Sequence, residues 1–177
     1  MKEFREIVIG NPKLVVSVNV SAKNFADVDF STKIKRILAD REFPAENLEI
    51  EITEYCMVNS IDATRENIEA LRNIGVKIAL DDFGTGYTSL NYVASLPIDL
   101  LKIDKSLVDD IESDVKRRNF VRTVISMGQL MDCKIISEGV EKPEQIECLR
   151  EDGCDLIQGF VWSRPLMYDD AVELAAK

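Results

Sequence analysis

Two adjacent carboxylates, Asp81 and Asp82, close the apolar run Ile78-Ala79-Leu80 and lead straight into a glycine-rich turn. Acidic side chains at the end of a buried strand need water, a proton or a cation to be tolerable, and a cation is the natural partner for two at once. Further polar residues stand in the same relation to other apolar runs: Asn19 after LVVSV, Glu51 in LEIEIT, Lys102 in LLKID, Glu138 after KIIS and Gln158 after DLI. Side chains alternate faces along a strand, so Val16, Val18 and Val20 share one face and Ser17 and Asn19 the other. Likewise Ile50 and Ile52 oppose Glu49 and Glu51, and Leu101 and Ile103 oppose Lys102 and Asp104. One face is therefore expected to be apolar and to meet helices, while the other gathers oxygen donors and one ammonium.

The steps between those six positions are 32, 30, 21, 36 and 20 residues, about one strand-helix unit each. Helical spacing fills the intervals: the tail of a helix before Gly10, Phe30 to Leu38, Ile61 to Asn73, Ser89 to Ala94, Lys116 to Met131, a helix opening at Pro143 to Glu147, and a closing one from Tyr168. Strands are expected at 14–20, 48–53, 78–82, 100–104, 134–137 and 155–158. Strands alternating with helices predict a parallel α/β fold, and polar groups converging at strand C-termini are the active-site pattern of a (β/α) barrel. About six units are present, whereas a complete barrel takes about 250 residues, so a single domain over 1–177 is expected as an incomplete, open barrel. Its two unpaired edges predict dimerisation or element swapping.

Composition narrows the chemistry. There is no histidine, which excludes Ser-His-Asp triads, imidazole acid-base catalysis and histidine-ligated metals. The formal charge of -10 argues against a general surface for polymeric nucleic acid. Cys56, Cys133, Cys148 and Cys154 form no CxxC pair and are expected to be reduced and structural. No apolar run reaches bilayer length and no signal peptide is present, which predicts a cytoplasmic protein.

Taken alone, several of these features have plainer readings. Asp81-Asp82 is also what a turn with a helix cap looks like, and a lone lysine such as Lys102 is more often the partner of a buried acid. Glu54, Glu141 and Asp104 suit structural hydrogen bonding as well as function. Phe160 and Trp162 read as rim packing, and Asp109 to Asp114 as a solvated loop.

The ordered series VSVNVSAKNF around Asn19, EITE at 51–54, DDFGTGYTSL from Asp81, LKIDKSLV around Lys102, SEGVE at 137–141 and QGFVWSRPL from Gln158 resembles the EAL-domain phosphodiesterases. The resemblance implies a TIM-like barrel with one antiparallel strand and hydrolysis of cyclic di-GMP to linear pGpG. It further implies Mg2+ or Mn2+, with Asn19, Glu51 and Asp81 as ligands of one ion and Asp82 of a second. Lys102 would lie beside the attacking water, Glu138 would be a base or an indirect metal contact, and Gln158 would order the metal-water cluster. Glu54 would anchor the loop from Asp82 to Thr88, and Glu141 and Pro165 would contact or support the ligand. A preceding sensor or GGDEF domain is the usual neighbour that the resemblance implies.

The signature EAL tripeptide, with its metal-binding glutamate and nearby arginine, is missing ahead of Asn19, where the resemblance calls for it. The chain is accordingly expected to be an N-terminally truncated member. That leaves two readings: a phosphodiesterase domain short of one ligand, or a non-catalytic module that binds cyclic di-GMP or a protein. Without metal, Asp81 and Asp82 should repel, leaving 83–88 mobile or displaced.

Overall fold

The computed structural model describes residues 4–56, 61–84 and 93–175. They divide into two compact units, Met1–Ala79 with Pro165–Lys177, and Leu80–Arg164.

In the first unit, α1 (Arg5–Gly10) precedes β1 (Val16–Asn19), α2 (Ala22–Phe25), α3 (Phe30–Arg41), β2 (Leu48–Thr53) and α4 (Ile61–Arg72). The closing helix α8 (Tyr168–Ala175) belongs to the same unit. β1 and β2 run parallel, with Val16 opposite Leu48 and Asn19 opposite Glu51. β1 is shorter than the 14–20 that alternation predicts: ahead of it Asn47 Nδ2 donates to the Pro12 and Leu14 carbonyls at 3.0 and 2.5 Å, and Val20 lies beyond its last residue. The core holds Phe25, Leu48, Ile50, Ile52, Ile68 and Leu71, each at most 2% exposed. Each such side chain contributes about 1.5–3 kcal/mol of burial. Asn67, on α4, is just as buried: its Nδ2 donates to the Phe25 and Asp27 carbonyls and its Oδ1 accepts from the Ser31 amide at the head of α3.

The expected apolar face of β1 departs from the pattern. Val18 is 39% exposed, because β1 ends the strand order and among the described residues pairs with β2 alone.

In the second unit, β4 (Leu100–Ile103), β5 (Lys134–Ser137) and β6 (Leu156–Ile157) are hydrogen-bonded in chain order and parallel. Between them lie α5 (Lys105–Val108), α6 (Val115–Leu130) and α7 (Pro143–Glu151). β3 (Lys77–Phe83) begins in the first unit and ends in the second. Leu80, Leu101, Ile103, Val121, Ile125 and Ile135 are fully buried.

The helix expected at 89–94 falls largely outside the described residues, as do residues 85–88 of the segment expected to shift without metal. The acidic stretch 109–114 is more than a solvated loop. Asp114 caps α6 by accepting from the Lys116 and Arg117 amides, Ile111 is buried, and Asp110 and Glu112 pair with Lys142. Asp104 proves to be a helix cap, accepting from the Ser106 amide at 3.0 Å to start α5. The cysteines are free, and burial pushes the thiols of Cys56, Cys133 (to about 11) and Cys154 up, as inert structural thiols require.

Candidate active site

Parallel register carries the polar positions to matching levels. In the first unit Asn19 and Glu51 are direct register partners; Glu51 is buried and Asn19 exposed. The Val20 amide donates to the Glu51 carbonyl at 2.9 Å, which holds the two strand ends level. Glu54, just beyond β2, is 7% exposed.

In the second unit Lys102 sits on β4 opposite Ile136, and Glu138 directly follows β5. The Glu138 amide donates to the Ile103 carbonyl at 3.0 Å, fixing the carboxylate one step beyond the lysine. Lys102 is 4% exposed, and its Nζ lies 2.6 Å from Glu138 Oε1 and 3.2 Å from Asp81 Oδ1. A buried ammonium is tolerable only with such compensation, and here one cation is bracketed by two acids. Both readings of Lys102 thus meet in one side chain: it is the partner of buried acids, and it is placed among the candidate catalytic groups.

Asp81 is 8% exposed, while Asp82 is exposed and has a positive φ of 54°, uncommon for a residue other than glycine. The Asp82 amide donates to Asp81 Oδ1 at 3.0 Å, so the strand turns about its own carboxylate.

Glu138 also lines a cavity of about 300 Å³ with Lys105, Gly139, Glu141, Gln158, Gly159 and Phe160. Its walls are built by close approach. A Cβ on Gly159 would lie 2.1 Å from the Val140 carbonyl oxygen, and one on Gly139 (φ +64°) 2.4 Å from the Lys105 stem. Lys105 pairs with Glu141; the ammonium holds the Glu141 carboxyl below its ordinary range, and the carboxylate raises the lysine in return. Phe160 is half exposed beneath the Arg164 guanidinium, 5.1 Å from its ring centre, and Trp162 is 73% exposed, so neither is the packed rim residue expected. Pro165 is exposed.

The second unit therefore brings Asp81, Lys102 and Glu138 together by ion pairs, and Glu138, Glu141 and Gln158 around one cavity. The first unit sets Asn19 beside Glu51. Lys105 and Gln145 were missed by sequence reasoning. The signal for Gln145 was present, since a glutamine at the third helical position after a start marked by Pro143 is the reciprocal half of a capping box.

The donors available suit a hard divalent ion, being carboxylate and amide oxygens without thiolate or imidazole. Among the described residues no three Asp, Glu, Cys or His side chains gather closely enough to hold a metal. The letters Glu69-Ala70-Leu71 do spell EAL, but they lie in helix α4, with Leu71 fully buried and Glu69 exposed, and supply no strand-end carboxylate.

The chain is 40% identical over 157 residues to the cyclic di-GMP phosphodiesterase NbdA of Pseudomonas aeruginosa, covering 89% of this chain and 20% of that protein. It thus spans about a fifth of the length of its curated relatives. Among solved structures it resembles the c-di-GMP complex of the phosphodiesterase PaMucR (TM-score 0.89, 32% identity, covering 96% of this chain and 69% of that one). It also resembles the EAL domain of Mycobacterium smegmatis DcpA (TM-score 0.93, 33% identity, 99% and 79%). A manganese and cy-diGMP complex of Klebsiella pneumoniae BlrP1 aligns with a TM-score of 0.82 at 28% identity, covering 93% and 42%. Their fold, an α/β TIM-like barrel, is the fold of this chain as far as it extends. The EAL domain profile matches residues 1–165, and the chain belongs to the EAL-domain family.

Proposed function

We propose that this chain is the part of a cyclic di-GMP phosphodiesterase that carries its basic and acidic catalytic groups, and that it acts on cyclic di-GMP to give linear pGpG. The observation that supports this most directly is the Lys102 ammonium between Asp81 and Glu138. Lys102 pairs with both acids and holds Glu138 at the cavity wall, where it accepts the proton of a water attacking phosphorus. The same ammonium faces the negative charge that develops on the phosphoryl oxygens. Gln158 orients that water, and Glu141 and Pro165 support the ligand.

By the family resemblance, Asn19, Glu51 and Asp81 would hold one divalent cation, Mg2+ or Mn2+, and Asp82 a second; such ions would supply a bound water of lowered pKa and positive charge for the leaving 3' oxygen. Glu54 steadies the segment after Asp82.

A second reading, a module that binds cyclic di-GMP or a protein without turnover, is favoured by one observation, the lack of a three-acid cluster among the described residues. Incubation with cyclic di-GMP and Mg2+ or Mn2+, followed by chromatography for pGpG, separates the two. Turnover that disappears in Asp81→Ala supports the enzyme; binding by calorimetry with no turnover supports the module. A homodimer, a cytoplasmic location and a sensor or GGDEF neighbour belong to the same proposal.

A further inference from the structure

We propose that Gln145 is a positioning residue for this site, clamping the loop that carries Glu138 and Glu141; the proposal rests on the cyclic di-GMP reading above. Gln145 is 2% exposed, and its Oε1 accepts from two consecutive backbone amides, Glu141 at 2.8 Å and Lys142 at 3.0 Å. Two donors converging on one atom fix that atom as the oxygen, which turns Nε2 toward the Val108 carbonyl at 3.3 Å. One side chain thus ties the start of α7, the loop at 138–142 and the end of α5.

The rest of the loop has little freedom to settle elsewhere. The Glu138 amide is held by Ile103, the Val140 amide by the Gln158 carbonyl, and Gly139 passes against the Lys105 stem. Releasing the last two amides frees the loop at the end that carries Glu141, one wall of the cavity, while the strand ladder between β4 and β5 stays intact. Because a partly buried amide left without a partner is costly, the loop must move to bring both amides to water, and Glu141 moves with it.

Asn67 provides the control. It is an equally buried carboxamide with three backbone partners, placed in the first unit on α4. A purely structural role for Gln145 makes the two behave alike.

The test combines amide exchange by NMR with calorimetric titration of cyclic di-GMP on the full chain. Gln145→Leu is expected to speed exchange at Glu141 and Lys142 more than tenfold, leave the β4 and β5 amides within twofold, and weaken ligand binding about tenfold. Gln145→Glu keeps the acceptor oxygen for the Glu141 and Lys142 amides but loses the donor to Val108, so it should protect those two amides and bind ligand better than Gln145→Leu while falling short of the wild type. Asn67→Leu should lower the melting temperature with unchanged affinity of the folded protein. If Gln145→Leu instead accelerates all amides together and binds ligand as the wild type does, the proposal is overturned. Gln145→Met serves the same comparison should Gln145→Leu not fold. A wild-type chain that binds no cyclic di-GMP defeats the functional reading, and the exchange pattern alone then decides the clamp.

Discussion

The strand pairs β1–β2 and β4–β5 are alike in kind, both parallel and both presenting polar side chains at matching levels, yet they are finished differently. In β4–β5 every residue of β4 from Leu101 onward is buried, and Lys102 finds two carboxylates. In β1–β2 the inner strand is buried throughout except Thr53, but β1 leaves Ser17, Val18 and Asn19 exposed. Parallel pairing alone does not complete a site. What completes it in the second unit is cover over β4 and the Lys102 ammonium within reach of Asp81 and Glu138.

The sharpest way to break this contrast is to remove the countercharge. Lys102→Met leaves Asp81 and Glu138 without their shared cation in a nearly closed environment, and about 3–5 kcal/mol of stability should be lost, read as a drop in the urea midpoint. Any turnover of cyclic di-GMP should vanish with it. A variant as stable as the wild type would show that water already solvates the two acids and that the second unit is no better finished than the first.

A smaller effect is expected at Asp152, where the second unit repeats the same device on its surface. The carboxylate is 3% exposed and accepts from Arg118 Nε at 3.0 Å and Arg122 Nη2 at 2.8 Å. Burial would raise the Asp152 carboxyl, and the two guanidinium groups more than reverse it, so its folded value lies below the ordinary one. A lowered folded value makes this contribution complete above about pH 4 and lost as pH falls through it. Asp152→Asn should cost about 1.5–3 kcal/mol at neutral pH and flatten the acid limb of a stability-pH curve. An unchanged acid limb would mean the arginines are held by solvent instead.

How much of this was legible in the sequence follows from where the information lies. β2 and β5 begin and end where alternation places them: in β2 Leu48, Ile50 and Ile52 are buried on one face opposite the equally covered Glu49 and Glu51, and in β5 the buried Ile135 and Ser137 alternate with Lys134 and Ile136. The structural role of Asp104 is one of the two readings its sequence position leaves open, but the short helix α5 that it caps is not legible, since four residues carry too little periodicity. The Lys102 position was readable from alternation, but its two partners come from strands before and after it, and only tertiary packing brings them within reach. Gln145 was overlooked for a related reason: its Oε1 serves amides in a loop whose path is set by Gly139 and Gly159, and their close approach to Lys105 and Val140 shows only in three dimensions.

The mildest perturbation bears on β1 itself. Val18 is 39% exposed on the outermost strand, so Val18→Ser should change stability by no more than about 0.5 kcal/mol, within the range of ordinary surface substitutions. An edge of this kind, with Val16 and Val18 on one face and free of lysine or proline, is where the proposed homodimer would pair. The two properties separate by concentration. Val18→Lys places a charge on the same edge; it should leave the urea midpoint of dilute protein unchanged and abolish any rise in sedimentation coefficient between micromolar and near-millimolar protein. If Val18→Ser costs more than about 1 kcal/mol even in dilute solution, β1 is covered as fully as β4, and the contrast between the two strand pairs fails.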